Sequence, residues 1–202
     1  MNSASDDEDV LNFWLGTLDE NGQADAAHTK SWFTKDPAFD QAIRDRFGAV
    51  HSAIVGGMLE GWLELPRGCL AYVIVLDQFS RNMFRDSARM FAQDGQALKA
   101  AEAAVERGWD KPMAFDERGF VYMPFMHSED LAAQNRGVAL FSAFRDELQG
   151  KRRERIEMSL GYANGHRDII ERFGRFPHRN ALLGRPSTPE ETEFLTQPGS
   201  SF

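Results

Sequence analysis

The chain has 202 residues and a formal net charge of -8, enough for one large domain in which about two-thirds of the unfolded surface becomes buried. A pI near 5.2 argues against nucleic acid as the main partner, because affinity there rests on a basic face that neutralises phosphates. The acidic start and the short apolar run at 69–76 offer neither a secretory signal nor a membrane span, and the lone Cys69 excludes an internal disulfide, so a soluble cytoplasmic protein is expected.

Taken in order, the apolar pattern is helical almost throughout. Short helices fit 7–18 and 29–33. Asp36 can cap a longer one with Pro37 in its first turn, where a missing N–H costs nothing. Along it Phe39, Ile43, Phe47, Val50, Ile54 and Met58 recur at steps of three and four, one stripe of an amphipathic helix. Pro66 opens a second through the apolar run to about Phe79; Val73, Ile74 and Val75 favour strand locally, but a strand there has no partner. Leu98, Ala101 and Val105 face one side of a third, ended by Gly108. A piece over 116–123 is ended by Pro124. Ser128 then caps a fourth helix with Leu131, Val138, Phe141, Phe144 and Leu148 inward, closed by Gly150. A fifth covers about 152–173, and Thr188, Pro189 and Glu191 give a start signal for a last one. The expectation is an all-α protein of about eight to nine helices, packed as stacked antiparallel hairpins in a single domain over 1–202, with flexible ends at 1–6 and 197–202.

Charge is uneven. Residues 1–40 carry nine acidic side chains against Lys30 and Lys35, whereas 151–185 carry nine basic ones against four acidic ones. Within the basic stretch, GHRDIIERFGRFPHRN at 165–180 interleaves His166, Arg167, Arg172, Arg175, His178 and Arg179 with Phe173 and Phe176. Guanidinium forks suit carboxylates and phosphates, so a local cationic cluster in an acidic chain points to an anion. Gly174 and Pro177 break the helix there and leave Arg175, His178, Arg179 and Asn180 on an irregular segment, where binding residues are often found. His166 borders the apolar stripe and also reads as a satisfied core histidine.

Two further segments can carry chemistry. In LDQFSRNMFR at 76–85, Asp77 and Arg81 stand four apart, as do Gln78 and Asn82, so each pair can meet on a helix surface. In FVYMPFMHSED, His127 and Glu129 fall between the helix ended by Pro124 and the one begun at Ser128. That places His127 near the positive end of a helix dipole, which favours the neutral base. A metal could use His127 and Glu129 with His166 or His178, but a two-residue step is not ligand spacing on one helix face, so neither metal nor cofactor is expected.

LDQFSRNMFR at 76–85, MPFMHSEDLAAQ at 123–134 and GRFPHRNALLGRPSTPEETEFL at 174–195, in that order, with VLNFW at 10–14 and the WF at 32–33, resemble the bacterial family catalogued as domain of unknown function 924. Many members have proline where this chain has Ser80, and Gly-Thr near Asp86 and Ser87. The resemblance implies an all-helical, tetratricopeptide-like right-handed superhelix and no particular activity.

Three readings follow. In the first, Asp77, Gln78, Arg81, His127, Glu129, His166, Arg175, His178, Arg179 and Asn180 line a groove for a small phosphate- or carboxylate-bearing ligand. Asp77 then orients Arg81, Glu129 orients His127, and His127, Glu129 and His178 carry acid–base chemistry, since only histidine titrates near neutral pH without a large shift. In the second, the chain is a non-catalytic helical-repeat module for an acidic peptide. In the third, the same residues form buried ion-pair networks that fix how helices cross.

Overall fold

A computed structural model describes residues 6–200. Among the described residues every regular element is helical and none is a strand. The elements are α1 Asp6–Leu15, α2 Ala26–Phe33, α3 Pro37–Val55, α4 Pro66–Ile74, α5 Ser80–Met83, α6 Asp94–Glu106, α7 Phe115–His127, α8 Leu131–Asp146, α9 Gly150–Phe173 and α10 Pro189–Phe194. A π-helical turn, Val75–Phe79, carries α4 directly into α5; counting that rod once gives nine helices among the described residues, within the expected number. The contacts group the chain into two compact units where the sequence suggested one domain. The first holds the described residues up to Arg85 together with Arg89–Pro124, and the second holds Asp86–Ala88 and the described residues from Phe125 on.

In the first unit the start signals act as read. Asp36 accepts from the Ala38 and Phe39 amides, and Pro37 fills the first turn of α3; Asp25 caps α2 in the same way. Ile43, Phe47 and Ile54 are buried while Met58, past the helix end, is 72% exposed. The run 68–76 is buried on every side, which explains an apolar run with no amphipathic period. Gly68 is obligatory in it, because a Cβ there would meet the Trp62 carbonyl at 2.5 Å. Trp14, Trp32, Phe79 and Phe120 form the centre of this unit, with ring centroids 4.8–6.2 Å apart, and the Trp32 indole N–H donates to the Trp14 carbonyl at 2.7 Å. Full burial of one such phenylalanine contributes about 1.5–3 kcal/mol. In α6 the inward residues are Ala97, Ala100, Ala101 and Ala104, not Leu98 and Val105, which are half-buried. Alanines turned inward let the helix approach its neighbours closely.

In the second unit α8 and α9 form a hairpin joined by three residues, packing Phe141 and Phe144 of one and Ile156, Leu160 and Ala163 of the other into the core. Gly137 sits where a Cβ would press on the Phe125 Cβ at 2.9 Å. Gly174, at φ 66°, ends α9 with its N–H on the Ile170 carbonyl, and Phe176 folds back onto Ile169 and Ile170. Thr188 and Glu191 close a reciprocal capping box on α10.

Several boundaries correct the sequence reading. Pro124 lies inside α7, which runs on to His127. Asp130, not Ser128, caps α8 by accepting from the Ala133 amide. Leu131 is 38% exposed. Gly150, at φ 56°, belongs to the start of α9 and does not close α8. Of the ends expected to be flexible, residues 1–5 and 201–202 lie outside the described residues, whereas 197–200 form turns closed by the Ser200 hydroxyl on the Leu195 carbonyl. No helix among the described residues is long and apolar enough to cross a membrane.

Candidate functional site

The motif residues divide between the two units. Asp77, Gln78 and Arg81 belong to the first; His127, Glu129, His166, Arg175, His178, Arg179 and Asn180 belong to the second.

In the first unit LDQFSRNMFR begins inside the π-helical turn, an insertion that recurs at functional sites because it re-aims side chains. Arg81 and Asp77 meet as their spacing predicts, Nη1 lying 3.2 Å from Oδ1 and donating to the Asp77 carbonyl at 2.8 Å. Gln78 and Asn82 do not: Gln78 Nε2 donates to Asp77 Oδ2 at 2.5 Å, and Asn82 Nδ2 donates to Asp40 Oδ1 at 2.8 Å. Each amide is taken by a carboxylate instead, Gln78 by its neighbour Asp77 and Asn82 by Asp40 from α3. Asp94 adds a second carboxylate to Arg81, at 3.0 and 3.1 Å. Burial works against the Arg81 charge, but Asp77 and Asp94 outweigh it and raise its pKa. Asp40 likewise takes Arg85 through both oxygens. The segment is buried: Asp77 is 1% exposed and Ser80 is fully covered, its hydroxyl 2.9 Å from His51 Nε2. A cleft of about 210 Å³ in this unit is lined by Leu11, Asn12, Leu15, Gly16, Leu18, Arg67 and Glu117, none of them a candidate site residue.

In the second unit three imidazoles gather about Phe176. The centroids of His127 and His166 are 6.3 Å apart, and those of His166 and His178 each lie 5.6 Å from the Phe176 ring. The Arg179 guanidinium stands 4.4 Å above that ring and donates to the His127 carbonyl at 3.0 Å. His127 is the last residue of α7. It therefore sits at the negative end of the α7 dipole and not at the positive end expected from the sequence. His166 projects from α9 with Nδ1 2.8 Å from the Tyr162 carbonyl. An acceptor there places the proton on Nδ1. Burial, then the nearby His127, Arg179 and His178, push its pKa down to about 3 against the pull of the Tyr162 carbonyl, so the ring is neutral at physiological pH.

Two ion pairs frame this cluster. Glu129 takes Arg185 through both oxygens at 2.6 and 2.9 Å and accepts the Phe176 N–H at 2.8 Å. It thus ties down the irregular segment. Burial opposes its charge, but Arg185 and that N–H more than offset it and lower its pKa. Glu191 holds Arg175 at 2.6 and 2.8 Å, accepts the Thr188 N–H, and is reached by Asn180 Nδ2 at 3.3 Å; Arg175 and these donors outweigh the opposing effect of burial and bring its pKa down to about 2. Asn180 also accepts from Arg185 Nε, linking both pairs. Arg179 and Asn180 are 5% and 1% exposed, so they are not a solvated surface. Asp94, Arg185 and Glu191 are the members that sequence reasoning missed. Glu191 was visible only as a capping residue, Arg185 lay inside a quoted motif, and nothing local marked Asp94. Among the described residues no group of three or more histidine, cysteine or acidic side chains is placed to hold a metal ion.

The solved structure of a protein of unknown function from Agrobacterium tumefaciens is 42% identical to this chain, covers 96% of it and 98% of its own length, and superposes with a TM-score of 0.80. Among curated proteins none matches. The family described as "Bacterial protein of unknown function (DUF924)" matches residues 10–199, taking in every motif residue above, and the chain belongs to it.

Proposed function

We propose that the second unit binds a small anionic ligand, carrying a phosphate or carboxylate, at the cluster of His127, His166, His178 and Arg179 around Phe176. The observation that carries this reading is the gathering of three of the chain's five histidines with a buried arginine. Groups that repel one another when protonated weaken a fold, and His166 is held neutral partly by those neighbours. A core built only for stability is better served by apolar side chains, and such clusters of perturbed groups mark functional sites. An entering anion would be met by the Arg179 charge and by imidazoles able to give or accept a proton. His127 or His178 would then serve as general acid or base on a phosphorylated metabolite, with Glu129, Arg175 and Asn180 holding the segment in place.

The tetratricopeptide-like stacking, a single domain over 1–202 and a cytoplasmic location belong to the same reading, supported by the family resemblance and by the α8 and α9 hairpin. A second reading, an acidic peptide on a helical-repeat surface, draws support from Lys151, Arg152, Arg153 and Arg155 in the first turns of α9. Cations at that end oppose the dipole of α9, and of the four Arg153 reaches back to the last turn of α8 at the Arg145 carbonyl.

Thermal denaturation of the wild type and of Arg179→Gln with inorganic phosphate, phosphate monoesters, carboxylates and short acidic peptides tests both. A ligand at a hundred times its Kd stabilises by about 2.7 kcal/mol. A rise in Tm with one small anion, lost in Arg179→Gln, is the expected result; a rise only with peptides favours the second reading, and no rise with any small anion overturns the first.

A further inference from the structure

The outer face of α9 is unlike the rest of that helix. Met158 and Tyr162, four apart, are 63% and 66% exposed, and between and beyond them stand Gly161 and Gly165, where an added Cβ would meet nothing within 4 Å. Glycine is a poor residue for a helix interior, and nothing within the chain requires it at either position. Residues at 154, 158, 161, 165, 168 and 172 lie along this one exposed line, following the helical steps of three and four.

The line is complementary to itself when reversed. Turning a second α9 end for end about Ala163 sets Glu154 opposite the partner's Arg172, Gly161 opposite the partner's Gly165, and Met158 opposite the partner's Asp168. On the flank, Arg155 faces the partner's Glu171. The register is fixed by where two helices can approach most closely, midway between the glycines, and in that register two sets of opposite charges, 154 with 172 and 155 with 171, fall together. Within the chain Arg172 pairs with Glu190, but both side chains are about half exposed or more, at 49% and 61%, and a solvated pair exchanges partners at little cost. Such self-matching is the signature of an isologous two-fold contact, in which one patch serves both subunits.

We propose that the protein forms a two-fold homodimer through the exposed face of α9, the two helices crossing antiparallel with Gly161 of each against Gly165 of the partner subunit. Met158 and Tyr162 then cover the two sides of the closest approach, and the 154–172 pairs close its ends. The contact is independent of the imidazole cluster, whose one member on α9, His166, is buried on that helix's inward side.

Sedimentation equilibrium from the micromolar to the millimolar range decides the matter. The wild type is expected at twice the 22.8 kDa chain mass. Gly161→Leu, which gains helix propensity and has open space for its side chain, is expected to keep the helical circular dichroism and melting of a folded chain while dimerisation weakens by about tenfold or more. Glu154→Arg and Arg172→Glu are each expected to weaken association, and the double variant to restore it, a rescue that a merely structural role for either charge does not produce. A wild type that stays at 22.8 kDa throughout overturns the proposal. So does a dimer that Gly161→Leu and the charge reversals leave intact.

Discussion

Segments 75–83 and 174–180 are both mixtures of arginine, amide and aromatic side chains, yet they resolve into opposite arrangements. In the first, carboxylates surround the cation: Arg81 is held between Asp77 and Asp94, and Arg85 sits on Asp40. In the second, Glu129 and Glu191 are each taken by a guanidinium from Arg185 or Arg175, while Arg179 and three imidazoles lie beside them. The first network is acidic in balance and built into a continuous helical rod. The second is basic and hangs on an irregular segment tied down at its backbone by Glu129. An arginine cluster in a sequence therefore does not by itself mark a site; what marks it is the balance of partners that the fold supplies.

The largest effect is expected where the acidic network is opened. Asp77→Ala leaves the buried Gln78 amide and Arg81 without their central acceptor, and stability is expected to fall by about 3–5 kcal/mol in chemical denaturation. A loss below about 1 kcal/mol breaks the contrast, because it makes the pair no more than a surface ion pair. In the second network Glu129→Gln removes a charge-assisted fork but keeps an oxygen for the Phe176 N–H, so a smaller loss of about 1.5–3 kcal/mol is expected. Hydrogen exchange of the Phe176 amide is expected to quicken with it. If exchange is unchanged, Glu129 is not the tie that holds the segment.

Much of this fold is legible because local signals agree with the tertiary result. Asp36 with Pro37, Thr188 with Glu191, and Gly174 with Pro177 each start or stop a helix by satisfying or removing backbone donors, which needs no knowledge of distant residues. The pair Asp77 and Arg81 is legible for the same reason. What stays hidden depends on the third dimension. The π-helical turn has no residue signature in VLDQF, and the carboxylates that claim Gln78 and Asn82 leave no trace in their spacing. Pro124 stays within α7, although proline reads as a stop. Asp94, Arg185 and Glu191 join their networks across 13, 56 and 16 residues, separations at which no periodicity links donor to acceptor. The imidazole cluster was legible as a set of residue types, but its centre on Phe176 was not, since an aromatic in a basic run reads equally well as core.

The smallest expected effect is the most diagnostic of the basic network. His166 has an ordinary value of 6.5 and is held at about 3 by burial and by His127, Arg179 and His178 beside it. As pH falls through 6.5 the unfolded chain takes up a proton there while the folded chain does not, so stability is lost progressively between 6.5 and about 3, with a slope of at most about 1.4 kcal/mol per pH unit. Glu129 and Glu191 are lowered from 4.5, so the stability they contribute is complete above 4.5 and lost only below it. The window from 4.5 to 6.5 therefore belongs to buried histidines. His51 of the first unit, lowered by burial and by Arg89, titrates in the same direction. Melting of the wild type and His166→Gln across this window separates the two. A slope that flattens in His166→Gln assigns the loss to the cluster around Phe176. A slope left unchanged takes the loss away from His166 and would mean that its burial among those neighbours carries no electrostatic strain, removing the main reason to expect an anion there.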